Sequence, residues 1–264
     1  MKEALLAVWS YRYFIVSSIK TEFQSGFAQN KLGALWMVLH PLAQVLIYAL
    51  VLSAVLKAKL PGIDSQYAYA IYLMAGMTGW NLFFDIVNRS LTVFIDNGNL
   101  LKKMSFPKLT LPFIVIGSSL VNFFLLLIAM FVVFAFLGHI VIHALLWLPL
   151  LVTITLMIAV GIGLSLGILN VFIRDIGQVM TIILQFWFWL TPVVYTLNII
   201  PAEYRHLFFL NPMVGIIEGY HAVLVYGKAP DLHMLVYPLA VGAVSLILAL
   251  FMYKKANEEM ADVL

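Results

Sequence analysis

Residues 145–173 read "LLWLPLLVTITLMIAVGIGLSLGILNVFI". The run carries no charged side chain, and a helix needs roughly 20 predominantly apolar residues to cross a bilayer. It reads as a membrane span. Working outward, comparable runs lie at 32–56, 109–137, 176–200 and 233–254, with a slightly shorter one at 67–88 that continues past Asp85. The composition agrees. Of 264 residues, 64% are hydrophobic and 10% charged, where a soluble domain has about 25% charged. The fold class expected is an all-α integral membrane protein with six transmembrane helices.

Six spans place both termini on one side. With the termini in the cytoplasm, eleven of the 15 basic residues lie inside. Only Lys57, Lys59, Arg205 and Lys228 lie outside. That asymmetry sets the orientation. The N-terminal stretch does not read as a signal peptide, because Glu3 and Arg12 interrupt its apolar run.

Three segments are not simple spans. In residues 1–31, Trp9, Tyr13, Val16, Phe23 and Phe27 recur at helical spacing, with Arg12, Ser17, Lys20 and Thr21 between them. This pattern suits an amphipathic helix in the cytoplasmic interface. The segment 89–108 contains "DNGNLLKKMSFPK" (96–108). Asn97-Gly98-Asn99 is a turn signal. Leu100, Leu101 and Met104 line one side of a short helix, Lys102 and Lys103 point elsewhere, and Pro107 ends it. Such a ridge is suited to dock in a groove on a soluble partner; a solvated loop whose lysines enforce topology is the alternative. Residues 201–232 form two apolar stretches too short to span, punctuated by Pro201, Pro212 and Pro230. They read as a re-entrant external hairpin, or else as a surface hairpin.

Other chemistries are missing. No G-x-x-x-x-G-K-[ST] phosphate cradle occurs, so the chain cannot hydrolyse ATP by that route. Cysteine is absent, which excludes disulfides and thiolate sites. His139 and His143 lack acidic company and do not read as metal ligands. The spans hold essentially no carboxylates of the kind that ion-coupled transporters bury. Driving force for transport must come from another chain, and the docking helix supplies a place for it.

Four stretches carry a family resemblance: "LGALWMVLHPLAQVLIYALVLS" (32–53), "NGNLLKKMSFPKLTLPF" (97–113), "RDIGQVMTIILQFWFWLTPVVYTLNIIP" (174–201) and "LNPMVGIIEGYHAVL" (210–224). In this order they resemble the ABC-2 type permeases that export polysaccharides. The resemblance implies a type V exporter-like architecture in the bacterial inner membrane. It implies a homodimer with two copies of a separate ATPase, no cofactor in this chain, and ATP and Mg held by that ATPase. Asn99, Leu100, Leu101, Lys102, Lys103 and Met104 would couple to the ATPase, residues 1–31 would be the interfacial helix beside them, and the outer hairpin would be a gate. Family members often carry arginine in the hairpin where this chain has His221, so a role assigned to that arginine is not carried over. The cargo implied is a lipid-linked polymer: O-antigen on polyprenyl diphosphate first, capsule or teichoic acid next. A small-molecule ABC-2 exporter and a passive channel or scaffold follow. No nucleic-acid partner is expected.

A conduit for sugars wants flat aromatic faces and scattered hydrogen-bond groups. Tyr48, Phe84, Trp187, Trp189 and Tyr195 are the candidates for its lining, although tryptophan and tyrosine also gather at membrane interfaces regardless of function. Arg12, Lys20, Lys31 and Arg89 could hold a phosphate head group; attraction to anionic lipids is their alternative use. The topology is testable in this cysteine-free chain. Lys102→Cys should react with an impermeant maleimide in inverted membrane vesicles and not in intact cells.

Overall fold

In a computed structural model the described residues are 8–28, 68–103, 106–136, 138–139, 141–256 and 259–260, with 35–36, 39 and 42–43 in the first apolar run. The expected span 32–56 therefore lies mostly outside them, as do Lys31, Tyr48 and Met104. Among the described residues the regular structure is all helical: α1 (Arg12–Ala28), α2 (Ala68–Asp96), α3 (Gly98–Lys103), α4 (Thr110–Phe136), α5 (Leu148–Phe172), α6 (Asp175–Trp189), α7 (Ala202–Phe208), α8 (Pro212–Leu224) and α9 (Leu232–Ala256). Among the described residues, four helical stretches are long and apolar enough to cross a membrane: α2, α4, α5 with the 3-10 turn before it, and α9. A fifth is counted if the bent pair α7 and α8, 103° apart, is one span.

α2 is the axis of the bundle. It buries residues on every side, from Tyr69 near one end to Phe94 near the other. α5 packs along it, and α9 packs on the far side of α5. These approaches are close because small residues line them. A side chain at Gly163 or Gly167 of α5 would strike Ser90 of α2, and one at Gly161 would strike Ser245 of α9. In lipid there is no hydrophobic drive between helices, so backbone proximity and interhelical hydrogen bonds carry the association. Asn170, buried at the end of α5, supplies two such bonds. Its Nδ2 donates to the Leu91 carbonyl at 2.7 Å, and its Oδ1 accepts from the Gly177 amide at 2.9 Å. One carboxamide thus joins α5, α2 and the start of α6.

α6 is shorter than the apolar run that contains it. It stops at Trp189, within the expected span 176–200, and a turn runs through Thr191 and Pro192. Pro192 brings no N–H, so the helix cannot continue its ladder there. The freed carbonyls find side chains instead. Tyr195 Oη donates to the Trp189 carbonyl at 2.9 Å, and Asn211 Nδ2 to that of Leu190 at 3.2 Å. Tyr69 Oη donates to Val194 at 2.5 Å and Tyr72 Oη to Tyr195 at 3.0 Å.

α1 packs against α4, with Ile19 over Gly117. The apolar stripe read from its sequence is not the face it buries. Trp9 and Tyr13 are 68% and 75% exposed and Val16 is exposed, whereas Phe14, Ile15 and Ile19 turn inward. The helix is apolar on two sides, one for the protein and one outward, so periodicity alone does not tell which is which.

Replacing Asn170 with leucine removes both of its bonds without shrinking the core. The variant should lose about 1–2 kcal/mol, read as a lower unfolding temperature of the purified protein in detergent.

Candidate functional site

α2 and α6 run antiparallel and meet through aromatic rings. Trp187 lies edge-on to Phe83 (ring centroids 5.1 Å apart), Phe83 lies 5.4 Å from Trp80, Trp80 lies 5.5 Å from Phe188, and Phe188 lies 5.4 Å from Trp189. Trp80, Asn81 and Phe84 fall on one face of α2 because they are three and four residues apart. Gln185, Phe188 and Trp189 do the same on α6. Between these faces runs a groove of about 320 Å³. Aromatic walls with two amide groups offer stacking surface and paired donors and acceptors, and carry no net charge.

The candidate lining residues separate on this geometry. Phe84 and Trp189 share the groove, and Trp189 is 58% exposed along it. Trp187 turns the other way: its indole N–H donates to Asn211 Oδ1 at 2.8 Å. Tyr195 braces the end of α6, as described above. Both hold backbone or packing together and do not line the groove. Trp80 and Phe188, aromatics that the sequence also offers on these two spans, line it too, together with Asn81 and Gln185, which the sequence reading did not propose as lining. An amide inside an otherwise apolar span was the available signal for Asn81 and Gln185.

Asn211 is a second residue that sequence reading passed over. It caps α8 by accepting from the Met213 amide at 2.9 Å, and Pro212 follows at the first helical position. This is an ordinary helix-start signature. The same side chain bonds Trp187, Leu190 and Thr191 Oγ1, so it ties the broken end of α6 to the bend between α7 and α8. Tyr237 Oη of α9 donates to the Leu210 carbonyl at 2.9 Å and holds the same bend. α7 lies on the surface, while α8 is buried among α2, α5 and α9. On α8, His221 is fully buried, with its ring stacked on Tyr72 at 3.7 Å and its Nδ1 3.8 Å from Glu218 Oε1.

At the opposite end of α2, α3 presents two faces. Leu101 packs into the chain's own apolar cluster with Val93 and Phe94, and Leu100 lines a cleft beneath α1. Asn99 and Lys102 are exposed. Two members of the apolar ridge expected to meet a partner, Leu100 and Leu101, therefore contact this protein, and Asn99 and Lys102 face out. Leu100 and Leu101 are both half-buried. The side chains of Lys103 and Met104 lie outside those described.

The candidate head-group residues also divide. Arg12 donates to the Trp9 carbonyl at 3.2 Å and lies over the Tyr13 ring, 4.5 Å from its centroid. Lys20 is exposed. Arg89 is engaged by the carboxylates of Glu22 and Asp85. A guanidinium held between two acids is already neutralised, which disfavours a further anion.

The described residues thus form a helical bundle with several span-length apolar helices, one helix that ends early at Trp189, and a buried hairpin helix. The sequence profile of the family described as "ABC-2 type transporter" matches residues 13–225, and the chain belongs to that family. It is 28% identical to an O-antigen export system permease protein of Myxococcus xanthus, over 97% of this chain and 96% of that protein. It is 24% identical to one of Klebsiella pneumoniae, over 90% of each. It is 22% identical to a polysialic acid transport protein of Escherichia coli, over 90% of this chain and 92% of that one.

Asn211→Ala leaves the Leu190 carbonyl and the α8 start without their side-chain partner. Stability should fall by about 1–3 kcal/mol, measured by chemical denaturation of the purified permease. The exposed Asn198→Ala should shift it by less than about 0.5 kcal/mol.

Proposed function

We propose that the chain is the membrane subunit of an exporter that moves a lipid-linked cell-surface polysaccharide across the inner membrane. The preferred cargo is O-antigen on a polyprenyl diphosphate carrier. A separate ATPase powers the movement, two copies of it serving a homodimer of this chain. The observation that carries the reading is the uncharged groove of Trp80, Phe84, Phe188 and Trp189, edged by Asn81 and Gln185. Sugar rings offer C–H faces to aromatic rings and hydroxyls to amides. Lining of this kind holds each unit weakly, which lets a polymer pass. The similarity to O-antigen permeases supports the choice of cargo. Capsule polysaccharide is the second reading, favoured by the likeness to a polysialic acid transport protein.

The rest of the assembly follows from the same reading. Asn99 and Lys102, on the outward side of α3, meet the ATPase. Residues 1–31 lie in the cytoplasmic interface, with Arg12 and Lys20 toward lipid head groups. The bend between α7 and α8 is the outer gate.

Deleting the chain should leave lipid-linked polymer accumulating inside the cell and none at the surface. Trp189→Ala should lower surface polymer severalfold while permease abundance stays level on immunoblots. Trp187→Ala should lower both together, since its indole holds Asn211. Equal behaviour of the two variants would remove the groove from the path.

A further inference from the structure

We infer that Glu22 is the positioning residue through which the interfacial helix drives the membrane helices during transport. This rests on the reading that a separate ATPase powers the chain. Glu22 divides its carboxylate between two helices. Its Oε1 accepts from Arg89 Nη2 of α2 at 2.5 Å, and its Oε2 accepts from Ser118 Oγ of α4 at 2.7 Å. Nη1 of the same arginine lies 3.9 Å from Asp85 Oδ2, one turn away on α2. A single side chain therefore joins α1, α2 and α4.

The two sides of α1 differ in how they are held. Toward α4, Ile19 packs closely over Gly117. Toward α2, a cleft of about 630 Å³ intervenes, lined by Ser17 and Thr21 of α1 and by Thr92 and Asp96 of α2, with the start of α4 (Leu111, Ile114) at its back. The Glu22–Arg89 pair bridges that cleft. Leu100 of α3 also opens into it, so the cleft touches the helix assigned to the ATPase. Movement of α3 or α1 under load changes the width of the cleft, and the ion pair is placed to convert that change into a pull on α2.

Its physical character suits this work. Arg89 is 23% and Glu22 43% exposed, so water and salt screen the pair and its loss costs the resting fold little. Its charge-assisted hydrogen bonds are nevertheless short and directional. Apolar contacts slide past one another, whereas this one fixes where α2 stands relative to α1. The force then reaches the groove along α2, because Arg89 and Phe84 sit on the same continuous helix.

The test uses the complete complex in cells and in proteoliposomes. Glu22→Gln keeps the shape and removes the charge. Permease abundance and ATPase association should hold, ATP hydrolysis should stay within about twofold, and exported polymer should fall about tenfold. ATP spent per polymer therefore rises. Arg89→Glu alone should act alike. The double variant E22R/R89E exchanges the signs, so that the transplanted guanidinium faces both the new carboxylate and Asp85. It should recover export to within about threefold of the unaltered protein. Unchanged export by Glu22→Gln overturns the inference. So does a loss of abundance in step with export, or a double variant no better than its singles. Unchanged surface polymer after deletion of the whole chain would instead remove the functional reading beneath it.

Discussion

A polypeptide that breaks a helix among membrane spans must find new partners for the backbone it frees, since hydrocarbon offers none. That constraint organises this structure. Where α6 ends, the carbonyls of Trp189, Leu190, Val194 and Tyr195 receive hydrogen bonds from Tyr195, Asn211, Tyr69 and Tyr72. Where α5 turns into α6, Asn170 accepts from the Gly177 amide in the first turn of α6 and donates to the Leu91 carbonyl within α2. These side chains decide where the helices may stop, and hence where rings from α2 and α6 face each other across a groove.

α2 connects the parts. Near one end its tyrosines satisfy the broken segment after α6. Further along, Trp80 and Phe84 line the groove. Beyond them, Ser90 accepts the close approach of α5, and Arg89 meets Glu22 of α1. The aromatic wall, the small-residue seam and the ion pair lie on one continuous helix. A displacement at either end therefore cannot leave the middle untouched.

The long apolar helices were legible from sequence because hydropathy over some twenty residues is a strong signal. The expected 109–137 and 233–254 stand beside helices Thr110–Phe136 and Leu232–Ala256. The run 67–88 falls short of the helix, which continues to Asp96 through Arg89, whose charge is met by Glu22. Hydropathy could not distinguish an unbroken 176–200 from a helix that stops at Trp189, since both are equally apolar. Facing was harder still. α1 has two apolar stripes, and α3 turns its leucines toward the chain's own core, so amphipathicity located these helices without orienting them. In the site, a census of aromatic residues found Phe84 and Trp189. It could not separate them from Trp187 and Tyr195, whose polar atoms are committed to Asn211 and to Trp189's carbonyl. That separation depends on pairings across the chain that no local pattern records.

The groove has a thermodynamic consequence. Ring faces attract by dispersion and by contact with C–H bonds, and such attraction has no preferred sense along the groove axis. A repeating ligand held there meets nearly the same energy after shifting one unit forward or back. Walls of this kind lower friction but supply no rectification. In the proposed function, net flux then requires an asymmetric, energy-consuming cycle at the ends, and the groove between them can accept repeats of differing sequence without being rebuilt.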